Sequence, residues 1–389
     1  MSGIVGLLRL DGRPCDSEAV ESLQRMLSAV VHRGPDASAS WCQGPVAMGH
    51  AMLRTTPESL TERQPLRDET GDLCLVLDGR IDNRVQLRTS LEGGFHHARD
   101  DSDADLLIRA YAHWGGACAA GLTGDFAFAL WDGRRQRLFC ARDPMGIKSF
   151  YYHCDARTFR FASEPRALFA DRAVRCEPNE GMIGEFLAGS LQSTEETFFK
   201  GVMRLRAGHS LRVGDGQVRK RRYWDIDAAR ELRYKADEEY ASHFLELFTE
   251  AVRCRMRASG PVAAELSGGL DSSSVVCVAA KIERETTPRE AGLKTFSLVF
   301  PGAACDESGY IADVADRCGQ ASHVIRPLEP TDVRGATLAP RQMDVPRFAN
   351  DMMFDALGAE VRRRGVRTLL TARAATISSR GSTTPMLII

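Results

Sequence analysis

The 389-residue chain has almost no net charge, no closely spaced cysteine pair and no long apolar run. A formal charge of −1 removes any bulk attraction for nucleic acid or an acidic membrane surface. The 11 cysteines form no CxxC pair and are odd in number, which argues against a zinc site and a secreted disulfide framework. A reducing cytoplasm is the expected compartment. No stretch approaches the roughly 20 apolar residues of a membrane helix. The opening MSGIVGLLRLDGRPC lacks a basic region and a signal-peptide cleavage site. What is present is ordinary for a soluble globular protein, 43% hydrophobic and 26% charged, in a chain long enough for two domains.

The first half reads as short strands punctuated by turns. GIVGLLRLDG ends at Asp11-Gly12, and DLCLVLDGRIDN is expected to run as a strand into a turn at Asp78-Gly79. DFAFALWDGRRQRLFCARD alternates on both sides of Asp132-Gly133, which predicts a hairpin, and SFYYHCDARTFRFAS repeats the pattern. SEAVESLQRMLSAVV and DADLLIRAYAHWG carry helical spacing. The interleaving has no βαβ rhythm, so α+β layers are expected over residues 1–210. VGDGQVRKRRYWDID predicts a terminal hairpin and linker, 211–235, with Arg219 to Arg222 on a solvated strand edge.

After Ala236 the texture changes. DEEYASHFLELFTEAVRCRM predicts an amphipathic helix, PVAAEL a buried strand, SSVVCVAAKIE a helix, LKTFSLVF a strand, DESGYIADVADRCG a helix and SHVIRP a third strand. This βαβαβ order predicts a parallel, doubly wound sheet. The loop after its first strand, Ser267-Gly268-Gly269-Leu270-Asp271-Ser272-Ser273, falls at the carboxyl edge, where such sheets bind ligands. Two readings are open. One is a capped helix after a glycine turn. The other is a phosphate seat, in which glycines admit close approach, the helix start offers N–H groups, and Asp271 carries Mg²⁺. No Walker lysine follows the glycines.

SGGLDSS resembles the pyrophosphatase loop of the asparagine synthetase family. HRGPDASASW, ARDPMGIKSFYY, FASEPRALF and TFSLVFPGAACDESGYIADVAD resemble further motifs of that family, in its order. The resemblance implies an αββα nucleophile-type sandwich acting as a glutamine amidotransferase. It is followed, over 236–371, by an α/β ATP-pyrophosphatase domain that adenylates a carboxylate for attack by an amine. ATP and Mg²⁺ are the implied cofactors. Ser267, Gly268, Gly269, Asp271 and Ser272 match the pyrophosphate and metal loop, with Asp271 the metal ligand. Leu266 and Leu298 match residues whose backbone reads adenine. Asp306-Glu307 opens the next helix and reads more readily as a cap than as a ligand.

The implied glutamine site is altered. Ser2 stands where the family has a nucleophilic cysteine and is expected to be inactive. Met52 replaces a carboxylate-clamping arginine, while Asp78 and Arg80 replace an amide and a carboxylate. Gly79 and Asp103 match an oxyanion donor and the ligand of the glutamine amine. This pattern resembles the branch of β-lactam synthetases and lasso-peptide cyclases, which take the amine from the substrate. The expected partners are therefore carboxylate and amine substrates or a precursor peptide, with a homodimer as the expected assembly. The alternative is a dead nucleotide-binding or scaffold remnant. From Thr371 the chain reads TARAATISSRG where the family continues TGxGGDE. In GC-rich codons, restoring one G after the first codon turns this into TGAGGDDLLAG, so 372–389 is expected to be a frameshifted tail. The chain as written is expected not to complete catalysis.

Overall fold

Alternation in the first half does build strands, and helices on both outer faces explain why many are apolar on both sides. The computed structural model describes residues 1–91, 101–286, 292–320, 322–327 and 353–372. In chain order come β1 (Gly3–Arg9), α1 (Ser17–Val30), β2 (Ala37–Gln43), β3 (Val46–Met52), β4 (Leu66–Arg67) and β5 (Leu73–Ile81). Then follow α2 (Arg84–Leu91), α3 (Asp103–Trp114), β6 (Gly124–Asp132), β7 (Arg137–Arg142), β8 (Tyr151–Cys154) and β9 (Thr158–Ala162). Helices α4 (Pro165–Phe169) and α5 (Glu180–Leu187) precede β10 (Val202–Arg204), β11 (His209–Gly214) and β12 (Gln217–Arg222).

These strands form two six-stranded sheets, ordered β10-β8-β9-β1-β3-β2 and β12-β11-β7-β6-β5-β4. Ile4, Met48, Val76, Ala127, Phe150 and Phe161 pack between them. Alternate residues of β1, Val5 and Leu7, point the other way, under Leu23, Met26 and Leu27 of α1. On the far side, Leu106, Leu107 and Tyr111 of α3 cover Leu75, Phe126 and Phe128. The result is the αββα sandwich. Its β11–β12 hairpin turns at Asp215 and Gly216, both at positive φ, and puts Arg219, Lys220, Arg221 and Arg222 on an exposed edge.

Asp78-Gly79 is not a turn. Strand β5 runs through it to Ile81, with Asp78 opposite Ala127 and Gly79 opposite Phe126. A Cβ on Gly79 would lie 2.6 Å from the Asp125 carbonyl oxygen and 2.8 Å from Phe126, so this glycine serves close strand approach.

The second unit contains α6 (Asp237–Arg255), β13 (Val262–Glu265), α7 (Leu270–Glu285), β14 (Lys294–Leu298), α8 (Ser308–Cys318), β15 (Ser322–Ile325), α9 (Met353–Arg363) and β16 (Thr368–Leu370). Its strands are parallel in the order β15-β14-β13-β16. Val275 and Val276 of α7 and Ile311 of α8 cover one face, while Leu357 and Val361 of α9 pack on the other with Phe296. The sheet is doubly wound, and its order reverses between β13 and β16. Helix α6 forms as expected, but Phe244, Leu245 and Leu247 are exposed, and it reaches the core through Phe248, Val252 and then Met256. Beyond Ala372, the segment expected to be frameshifted lies outside the described residues.

Gly34 makes a local test of the sandwich. A Cβ there would sit 2.1 Å from the backbone oxygen of Ala51 on β3. Gly34→Ala is expected to lower stability by about 1–3 kcal/mol, the usual cost of overpacking, measured as a lower urea midpoint. An unchanged midpoint would contradict this packing.

Candidate functional site

Strand β13 delivers Leu266 to the sheet's carboxyl edge, where its N–H donates to the Phe296 carbonyl at 2.9 Å. The chain then bends at Gly268, φ +88°, and Gly269 leads into α7. Only glycine suits Gly268 on two counts. Its φ is left-handed, and an added Cβ would lie 3.1 Å from Cβ of both Glu307 and Tyr310. Ser272 braces the bend: its Oγ accepts from Ser267 N–H at 3.1 Å, lies 2.9 Å from Ser267 Oγ and donates to the Gly269 carbonyl at 3.2 Å. Ser273 Oγ is buried without a hydrogen-bond partner among the described residues.

This bend opens on a cavity of about 580 Å³ lined by the loop, by Leu298 and Phe300 after β14, by Glu307, and by Ala372 after β16. Leu266, Ser267, Gly269, Asp271, Ser272 and Leu298 all line it, and Gly268 packs beside it against Glu307. Asp306 has a different task. It accepts from Phe300 N–H at 3.1 Å and from Ser308 Oγ at 2.7 Å, bonds that hold its carboxyl below the usual range. The donor set fits a polyphosphate, with a glycine bend, two hydroxyls and the start of a 16-residue helix. For Mg²⁺ the loop offers the Asp271 carboxylate, with Glu265 and Glu307 also in the cavity lining. No group of three metal-ligating side chains occurs among the described residues. Mg²⁺ commonly takes one or two carboxylates and completes its shell with phosphates and water.

The first domain carries the other candidate residues. Ser2 is buried; its Oγ accepts from Leu53 N–H at 3.1 Å, and its carbonyl accepts from Arg33 Nε at 2.8 Å. The Met1 amine is pushed down to about 5, first by burial and then by Lys148. Asp78 is fully enclosed, with Arg33 at 2.9 Å and Lys148 at 3.2 Å. Burial would raise its pKa, but the charges of Lys148 and Arg33 hold it below the ordinary range. Arg33 also binds Glu164 at 3.0 Å. Met52 is buried in β3. Arg80 turns to Asp82 at 2.9 Å and to the Cys254 carbonyl. Asp103 accepts from Ile81 N–H at 3.1 Å, from Arg84 and from Arg257 at 2.9 Å. Asp78, Arg80 and Asp103 are thus each paired with an opposite charge of the chain. Arg33, Lys148 and Arg257 are the participants that sequence reading missed. The first two lie inside HRGPD and ARDPMGIK, so the motifs did mark them.

A glutamine amidotransferase domain model matches residues 1–224, and an asparagine synthase model matches 243–375. The chain belongs to the asparagine synthetase family. It is 32% identical over 370 residues to the amidase chry2 of Gibberella zeae, covering 91% of this chain and 54% of that protein. It is 31% identical over 284 residues to the glutamine-hydrolyzing asparagine synthetase 3 of Bacillus subtilis, covering 72% and 45%. The chain thus spans about half the length of these curated relatives. A solved phosphoribosylpyrophosphate amidotransferase of B. subtilis aligns with 98% of this chain and 95% of its own at 14% identity, with a TM-score of 0.43. No helix among the described residues is long and apolar enough to cross a membrane.

Glu62 adds a pH dependence beside Asp103. Burial, with the Asp103 and Asp105 charges, pushes its carboxyl up to about 7 from an ordinary 4.5, against a hydrogen bond from Gln64. The folded chain therefore holds this proton more tightly than the unfolded chain. Glu62's contribution is whole below pH 4.5 and is lost as pH rises toward 7. Glu62→Gln should remove a stability loss on the order of 1–3 kcal/mol across that window, read from urea midpoints at several pH values. Parallel wild-type and variant curves would contradict the shift.

Proposed function

We propose that this chain belongs to an ATP-dependent amide ligase that joins a carboxylate to an amine not drawn from glutamine. The observation that carries the reading is the cavity at the reversal of strand order, where the loop after β13 and Ala372 after β16 face one another. Open α/β sheets bind their ligands at such a crevice. The family match is the second support.

On this reading Gly268 and Gly269 let the backbone approach the phosphates, and the first turn of α7 directs N–H groups and positive dipole toward them. Ser267 and Ser272 hold the bend and turn hydroxyls to the same space. Asp271 would hold Mg²⁺ against the phosphates. When bound, ATP supplies the adenylyl group that activates a carboxylate, with pyrophosphate as leaving group. Leu266 and Leu298 border the part of the cavity suited to the adenine edge.

For the amine, the first domain points away from glutamine. A substrate amino group would have to displace Arg84 and Arg257 from Asp103, and its carboxylate would meet Met52 instead of a cation. An amine carried by the carboxylate substrate, as in ring closure, or by a second substrate needs neither contact.

Two measurements test this reading. The chain should bind ATP in the presence of Mg²⁺, and Asp271→Asn should weaken that binding about tenfold, the worth of one charge-assisted contact, with little change in EDTA. Titration calorimetry showing no binding, or an Asp271→Asn variant indistinguishable from wild type, would overturn the nucleotide assignment. Glutamine-dependent ammonia release should stay at background, and a sustained rate would overturn the amine assignment.

A further inference from the structure

Two arginines at the end of α6 leave their own unit and enter a pocket of acids on the first. Arg257 sits 2.8 Å from Glu58 and 2.9 Å from Asp103, and donates to the Ile81 carbonyl at 3.0 Å. Arg255 pairs with Asp125 through both terminal nitrogens and lies 3.3 Å from Asp82. The contact is returned by Arg80, which donates to the Cys254 carbonyl, and by Thr55, whose carbonyl accepts from Ser259 N–H at 2.8 Å. These side chains are largely withdrawn from solvent, so the pairs are worth more than surface ion pairs.

The position of this plug in the sequence gives it a consequence. Ser259 precedes β13 by three residues, and β13 ends in the Leu266–Gly269 bend. On the other side of the cavity, Arg367 stands immediately before β16 and pairs with Asp36 of the first domain. Both strands that flank the reversal of order are therefore tied to the sandwich at their amino ends.

We propose that the acidic pocket around Asp103 is a docking socket for Arg255 and Arg257. Through it the first domain sets the position of β13 and of the bend that ends it. Asp103 and Arg257 are then positioning residues for the second domain's site, and the sandwich has a role that glutamine hydrolysis does not require. The docking is a property of the chain without nucleotide and does not depend on what the cavity binds.

Hydrogen exchange on the full chain without nucleotide tests this. Arg257→Gln should speed exchange across residues 258–272 by about fivefold to thirtyfold, the effect of losing a partly buried ion pair. Peptides from β8 and β9, in the other sheet, should not change. Arg257→Lys should recover part of the protection, and Arg253→Gln, which breaks only an exposed pair with Glu250, should do nothing. Arg255→Gln supplies a second variant should Arg257→Gln fold poorly. Unchanged exchange across 258–272 in both glutamine variants, or equal changes in the Arg253→Gln control, would overturn the socket. ATP titration of the same samples separates the two proposals. Lost protection in a chain that binds no ATP would sustain the socket and sink the nucleotide reading, and the converse would sink the socket alone.

Discussion

The left-handed turn of the backbone at Gly268 is the constraint on which the second domain's site rests. It lets a buried parallel strand stop and a 16-residue helix start within a few residues, aiming the helix's unpaired N–H groups at the sheet edge. A side chain at that point would meet both a disfavoured φ and the Cβ atoms of Glu307 and Tyr310. Without the bend, Ser267 and Ser272 would not reach one another, and Asp271 would not face the cavity shared with Leu298 and Ala372.

The first domain buries several charges and pairs each of them within the chain. Arg33 crosses the interior from Ser2 to Glu164, and Gly34 lies tight against β3. Asp78 brings a second buried carboxylate, and Lys148 with Arg33 compensates it. A buried charge without a partner would be costly, whereas a paired one is close to neutral for stability. The buried charges of this domain are thereby satisfied within the chain. Asp103, between Arg84 and Arg257, is the clearest instance.

Patterns of short range were legible in the sequence. The βαβ rhythm after Ala236 and the Asp132-Gly133 hairpin depend on local periodicity or on glycine and appear where they were expected, while the SGGLDSS loop is shorter than expected because α7 already starts at Leu270. Asp78-Gly79 failed because a dipeptide that favours turns also suits a strand whose neighbour comes unusually close. The apolar face of α6 could be read, but its lack of cover among the described residues could not, since periodicity says which residues are apolar and not what meets them. Least legible was Arg257 against Asp103. The two lie 154 positions apart, and an arginine near a helix end has many ordinary uses.

The most direct test is a crystal structure of the chain with a non-hydrolysable ATP analogue and Mg²⁺. The account places the phosphates against the backbone N–H groups of Gly269 to Ser272, the metal on Asp271 and the base beside Leu266 and Leu298. An analogue bound elsewhere, or at this loop with its phosphates directed away from Gly268, would contradict it.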